Sequence, residues 1–172
     1  MTVLQIIFGV MLIAMMFVLV LKDETLSCRD VSIVFERLSE HAVLPTKAHD
    51  CDAGWDLYAS EDIVIRPHSS AKVATDIAWE PSTDWCYMQI KCRSGMAFKD
   101  GVELTSAGVI DSSYRGAIGL KLFNTTDEPI DILRGDRVAQ GVVLPIPRTK
   151  AVEGSVLKNT KRGTKGFGSS GK

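Results

Sequence analysis

This chain of 172 residues lacks paired cysteines. Its four cysteines, Cys28, Cys51, Cys86 and Cys92, form no CxxC pair, and no histidine stands at zinc-finger spacing from them. A structural zinc module is therefore excluded. The chain also lacks an excess of charge. The formal net charge is −1, and residues 1–21 carry no charged side chain, so the whole of it belongs to residues 22–172. A near-neutral domain gives no electrostatic case for binding DNA or RNA. A polyanionic ligand must instead be met by a local cluster of positive groups. The GxxxxGK[ST] spacing is missing, which excludes a P-loop. There is no internal repeat, and no long helical period beyond residue 21.

Residues 2–21 form an uncharged run of 20, about the length that crosses a bilayer as a helix. A cleaved signal peptide fits less well, because there is no basic n-region and no A-x-A-like site. Lys22 and Arg29 lie only on the C-terminal side. The positive-inside rule then predicts a membrane-anchored protein with the domain that follows in the cytoplasm. The competing reading is an upstream extension from a misassigned start, although Met11, Met15 and Met16 would each leave an apolar stub. The expected organisation is a hydrophobic segment over 1–21, a polar linker over 22–30, a β domain over 31–147 and an extended arm over 148–172.

From residue 31 the pattern has period 2. Val31, Ile33 and Phe35 recur at every second position, alternating with Ser32 and Glu36. So do Ile63 and Ile65, then Met88 and Ile90, then Ile118, Leu120 and Leu122. Turn signals separate the runs at 66–68, 80–82, 99–101, 125–129 and 134–136. Short strands with frequent turns predict an all-β sandwich or barrel. Read as a strand, residues 85–92 place Cys86, Met88, Ile90 and Cys92 on one face. At about 3.3 Å per residue the two cysteines lie roughly 20 Å apart and cannot bridge. They read as buried free thiols in a reducing compartment.

The last eleven residues hold Arg162, four glycines, Phe167, Ser169 and Ser170. Such a tail cannot build a core, but it can close over a ligand. Glycines bring bare N–H groups to a phosphate, Arg162 can hold phosphate oxygens bidentately, and Phe167 can stack on a flat base. Four further segments stand out: Ala53-Gly-Trp-Asp-Leu-Tyr-Ala59, Arg93-Ser-Gly95, Ala107-Gly-Val-Ile-Asp-Ser-Ser-Tyr-Arg-Gly116 and Gly135-Asp-Arg-Val-Ala-Gln140. Each alone is weak. The Asp136-Arg137 pair reads in isolation as a surface ion pair worth little.

In this order the five segments resemble the motifs of the trimeric dUTPase family over about residues 31–172. The resemblance implies a β-barrel or jelly-roll homotrimer that hydrolyses dUTP to dUMP and pyrophosphate with Mg2+. It also implies active sites shared between subunits and closed by the C-terminal arm. Asp111 would be the general base that activates water; a free Asp is ionised at pH 7 and can accept the proton. Tyr114 would pack beneath the deoxyribose and exclude a ribose 2′-OH. A hairpin over 105–118, including Thr105, Gly108, Val109 and Ile110, would bind uracil through backbone groups. Arg93, Ser94, Gly95 and Gln140 resemble phosphate contacts. Asp56 resembles the carboxylate that orients the metal, through water, since magnesium keeps its waters and prefers phosphate oxygens. Arg162 would hold the γ-phosphate, Phe167 would stack on uracil, and Gly168, Ser169 and Ser170 would wrap the phosphates.

The sequence departs from the common pattern at several positions. Trp55 replaces Tyr, Cys92 replaces the Pro before Arg93, Ser113 replaces a second acid, and Gly141 replaces Leu. Cys92 is expected to loosen its loop and Gly141 to leave a smaller core side chain. Two alternatives stand beside the hydrolase. One is a non-catalytic dUTP-binding protein of the same fold. The other is a dCTP deaminase, for which Glu103 is the only acid in the right neighbourhood.

Overall fold

The structure is a computed structural model that describes residues 31–105, 108–154, 160–161 and 163–164. Among them are eleven strands and one short helix. Every strand pair is antiparallel.

The largest sheet has four strands in the order β2 (Gly54–Tyr58), β11 (Arg137–Pro145), β6 (Cys86–Lys91) and β8 (Val109–Asp111). A three-stranded sheet follows the order β4 (Ser70–Ala74), β9 (Gly119–Asn124) and β7 (Val102–Leu104). Two ladders complete the fold: β1 (Ile33–Arg37) with β5 (Ile77–Pro81), and β3 (Ile63–Ile65) with β10 (Ile130–Ile132). The all-β expectation holds; of the barrel and jelly-roll alternatives, no closed barrel is found among the described residues. Most strands have only three to six residues, and the two edges of the large sheet, β2 and β8, do not pair with each other.

The period-2 reading locates the core. Cys86, Met88 and Ile90 on β6 are buried, as are Leu120 and Leu122 on β9 with Ile118 just before it. They pack with Leu57, Ile65, Val73, Ile77, Trp79 and Val102 into one cluster. Each fully buried large aliphatic side chain contributes about 1.5–3 kcal/mol. Polar groups inside are bonded. The Asn124 amide donates to the carbonyls of Ile65 at 3.0 Å and Glu128 at 2.7 Å, while its Oδ1 accepts from Thr126. This fixes the 125–129 turn. The Thr75 hydroxyl donates to the Ile118 carbonyl at 2.6 Å.

The membrane-anchored localisation expected from residues 2–21 is also corrected. Among the described residues no helix is long and apolar enough to cross a membrane. The one helix among the described residues is Ser94–Phe98, and its five residues rise about 7.5 Å, against roughly 30 Å of hydrocarbon. The apolar helix and linker expected over 1–30 lie outside the described residues.

Candidate active site

The first cluster grows from the ladder between β2 and β11. Gln140 stands directly opposite Asp56, and also opposite Lys91 on β6. A register shift between Arg137 and Ala139 makes Val138 an extra residue. Normal alternation would put Arg137 on the same face as buried Ala139. The bulge returns Arg137 to the face of Gln140 and Asp56. Asp56 is then held from two sides: Arg93 Nε donates to Oδ1 at 2.9 Å, and Arg137 Nη1 donates to Oδ2 at 3.3 Å. The Asp56 side chain is only 16% exposed, so these pairs are shielded more than a surface ion pair would be. The Asp136–Arg137 surface pair read from the sequence does not form. Asp136 instead accepts from the backbone N–H of Leu133 at 2.8 Å.

Gln140 Nε2 donates to the Cys92 carbonyl at 3.2 Å, which ties β11 to the loop before the helix. Gly54 makes room for this. A Cβ on Gly54 would stand 2.7 Å from Gln140 Oε1. The Cys92 thiol ties its loop to β7, donating to the Val102 carbonyl at 3.1 Å. Burial pushes the Cys92 thiol up, against hydrogen bonds from the Arg93 and Leu104 backbone that pull it down. Arg93 caps the helix that follows, Ser94 is exposed on its first turn, and Gly95 lies within it. Arg93, Gly95, Lys99 and Arg137 line an open cavity of about 670 Å3, with Asp100, Asp131 and Asp136 on the same wall.

The second cluster surrounds Asp111. Its carboxylate is exposed at the end of β8, while its carbonyl oxygen accepts from the Tyr114 backbone N–H at 3.1 Å and from the indole of buried Trp79 at 3.2 Å. Arg115 braces the turn, donating to the Ser112 carbonyl at 2.6 Å and to Glu80 at 3.0 Å. The Tyr114 hydroxyl donates to the Ala117 carbonyl at 3.2 Å, so the ring lies over Gly116 and leaves no space for a side chain there. Lys72, Val109, Ile110, Asp111, Tyr114 and Gly119 line a cavity of about 350 Å3.

The expected hairpin over 105–118 is not a paired hairpin. β7 pairs with β9, whereas β8 pairs with β6, so the segment crosses between sheets. Gly108, at φ +67, marks the crossing, and its carbonyl accepts from Ile90 N–H at 2.7 Å and Gln89 Nε2 at 3.0 Å. Thr105 is exposed and bonds the Lys121 carbonyl through both its N–H and its hydroxyl.

The structure thus joins Asp56, Arg93 and Gln140, and separately joins Asp111, Tyr114, Val109 and Ile110. It does not join the two groups in one chain. On β6, Asp111 is opposite Tyr87 and Gln140 is opposite Lys91. Four residues at about 3.3 Å each separate these ends by roughly 13 Å. Arg162, Phe167, Gly168, Ser169 and Ser170 lie outside the described residues. Arg137 and Trp79 were missed as site residues. Arg137 sits in the fourth motif, but the bulge that turns it has no sequence signal. Trp79 falls in no motif.

One all-β scaffold thus carries an exposed Asp111 with Tyr114 on one cavity wall, and a separate guanidinium–carboxylate–amide cluster at Asp56. The dUTPase family model matches residues 40–171. The chain is 43% identical over 143 residues to the deoxyuridine 5'-triphosphate nucleotidohydrolase of Rattus norvegicus, covering 83% of this chain and 69% of that one. It is 40% identical to the enzyme of the same name from Clostridium tetani, covering 83% and 99%. The solved Staphylococcus bacteriophage 80alpha dUTPase with dUPNHPP superposes at a TM-score of 0.74 and 27% identity, covering 81% of this chain and 98% of that one. The chain belongs to the dUTPase family.

Proposed function

We propose that this chain hydrolyses dUTP to dUMP and pyrophosphate. The observation that carries the reading is the exposed Asp111 carboxylate beside Tyr114 on a braced turn, in a chain of this family. Asp111 takes a proton from water as the water attacks phosphorus. The bond between the α- and β-phosphates breaks, and pyrophosphate leaves with the electron pair. Tyr114 packs against the sugar. β8 is an edge strand, so one side of its backbone is free to read the uracil ring.

Arg93, Ser94, Gly95 and Gln140 receive the phosphates. Arg162, Phe167, Gly168, Ser169 and Ser170 close over them from the arm. Among the described residues no three His, Cys, Asp or Glu side chains converge as a metal cage, and both Asp56 oxygens already hold guanidinium donors. This donor set fits a Mg2+ carried by the triphosphate, with Asp56 contacting it through water. Bound there, the ion supplies charge neutralisation at the phosphates.

The 13 Å between the two clusters favours sites completed by a neighbouring subunit in a homotrimer. The deciding experiment is pyrophosphate release from dUTP beside dCTP, dTTP and UTP, with and without magnesium. Metal-dependent release from dUTP alone is expected. Release from none of them by a folded trimer would move the reading to a dUTP-binding protein.

A further inference from the structure

We propose that Lys72, on β4 and outside all five motifs, is a further substrate contact. Its ammonium would donate to an anionic phosphate oxygen of the nucleotide held at Asp111 and Tyr114. This rests on the reading of Asp111 and Tyr114 as site residues.

Lys72 lines the 350 Å3 cavity together with those two side chains. Its stem runs over Gly119, with Cε 3.4 Å from where a Cβ on that glycine would stand. The side chain therefore leans along the sheet toward the side where Ala117 and Tyr114 complete the cavity wall. Two further facts make the arrangement unfavourable without a ligand. Lys72 stands directly opposite Lys121 across the β4–β9 ladder, both exposed. Like charges placed so destabilise an antiparallel pair. Neither ammonium has a hydrogen bond or ion pair among the described residues.

The acids nearby do not neutralise the pair. Glu103, on the adjacent strand β7, is opposite Phe123 and forms no ion pair with either lysine. Asp111, the acid that lines the cavity, does not pair with Lys72 either. Two uncompensated cations add nothing to the fold. An anion in the cavity would pair with Lys72 and so ease its repulsion by Lys121, and a charge-assisted hydrogen bond to phosphate is the strong kind.

The test uses the full chain as Lys72→Met, Lys72→Arg and Asp111→Asn. Lys72→Met should lower kcat/KM for dUTP on the order of tenfold, the scale of one charge-assisted hydrogen bond. It should also flatten the dependence of kcat/KM on salt. Its Tm should stay level or rise, because the repulsion by Lys121 is relieved. Lys72→Arg should recover most of the activity. Wild-type kcat/KM in Lys72→Met, alongside an inactive Asp111→Asn, overturns the role of Lys72 alone. Wild-type turnover in Asp111→Asn overturns the site reading itself. A fall in Tm or a changed oligomeric mass accompanying the activity loss in Lys72→Met assigns Lys72 to structure and also overturns the proposal.

Discussion

The indole N–H of Trp79 donates to the carbonyl oxygen of Asp111 at 3.2 Å, so a side chain 1% exposed in the core holds the backbone of an exposed carboxylate. The proposed base is thereby held from behind, through its main chain, while the residue stays exposed.

Trp79→Phe keeps an aromatic ring but removes the donor. Stability should fall by about 1–3 kcal/mol, from the lost hydrogen bond and the smaller ring. Because a small displacement of a catalytic group is costly, kcat should drop roughly tenfold while KM changes little. Urea unfolding and steady-state kinetics read the two effects. An unchanged kcat would show that the Arg115 brace alone positions Asp111.

Asp56→Asn removes the charge that holds Arg93 and Arg137. Two guanidiniums then lose their charged partner, and in the proposed site Arg93 is no longer aimed at the phosphates. KM for dUTP should rise about tenfold or more, with a smaller change in kcat. Calorimetric titration with a non-hydrolysable dUTP analogue should report the same weakening.

Gly54→Ala and Gly141→Ala probe two close approaches. The first places a Cβ 2.7 Å from Gln140 Oε1, so Gln140 must swing away and release the Cys92 carbonyl. The second places a Cβ 2.5 Å from Met88 Sδ and 3.0 Å from its Cγ. Each should cost about 1–3 kcal/mol by overpacking. Only Gly54→Ala should also raise KM. Equal kinetic effects from both would argue that Gln140 has no part in binding.

Cys92 and Cys51 should differ toward thiol reagents. Cys51 is exposed, whereas burial pushes the Cys92 thiol up. Cys51 should therefore be alkylated first at pH 8, as read by mass spectrometry after a short pulse. The raised thiol also sets a sign for stability. The unfolded chain ionises at lower pH than the folded one, so the Cys92 contribution is present below the ordinary thiol value of 9.0 and is lost as pH rises through the folded value. Cys92→Ser should flatten the fall in stability above pH 9. An identical slope in both proteins would remove Cys92 as its cause.

Much of the fold was legible because period-2 alternation marks a strand with one buried face. Met88 with Ile90, and Leu120 with Leu122, show it plainly. The helix Ser94–Phe98 was not legible, since five residues are too short to display a helical period. Sheet membership was hidden as well. Nothing in residues 102–111 announces that β7 and β8 join different sheets, because pairing is decided by distant partners. The roles proposed for Asp111 and Tyr114 rest on motif order, whereas Arg137 needed the bulge at Val138 to be seen. Gly141 looked like a gap, but the gap is filled: Met88, from the neighbouring strand, occupies the space its missing side chain leaves.

Tyr87 and Lys91 are four residues apart on β6, and the two halves of the site hang from them. In the proposed assembly, a lesion at one end leaves the other end whole. A chain with Asp111→Asn and a chain with Arg93→Ala should each be inactive alone, yet each retains the half the other has lost. Refolded as a mixture, they place intact halves face to face at some interfaces. Two null alleles should therefore complement each other, and crossing them should return activity that neither parent has.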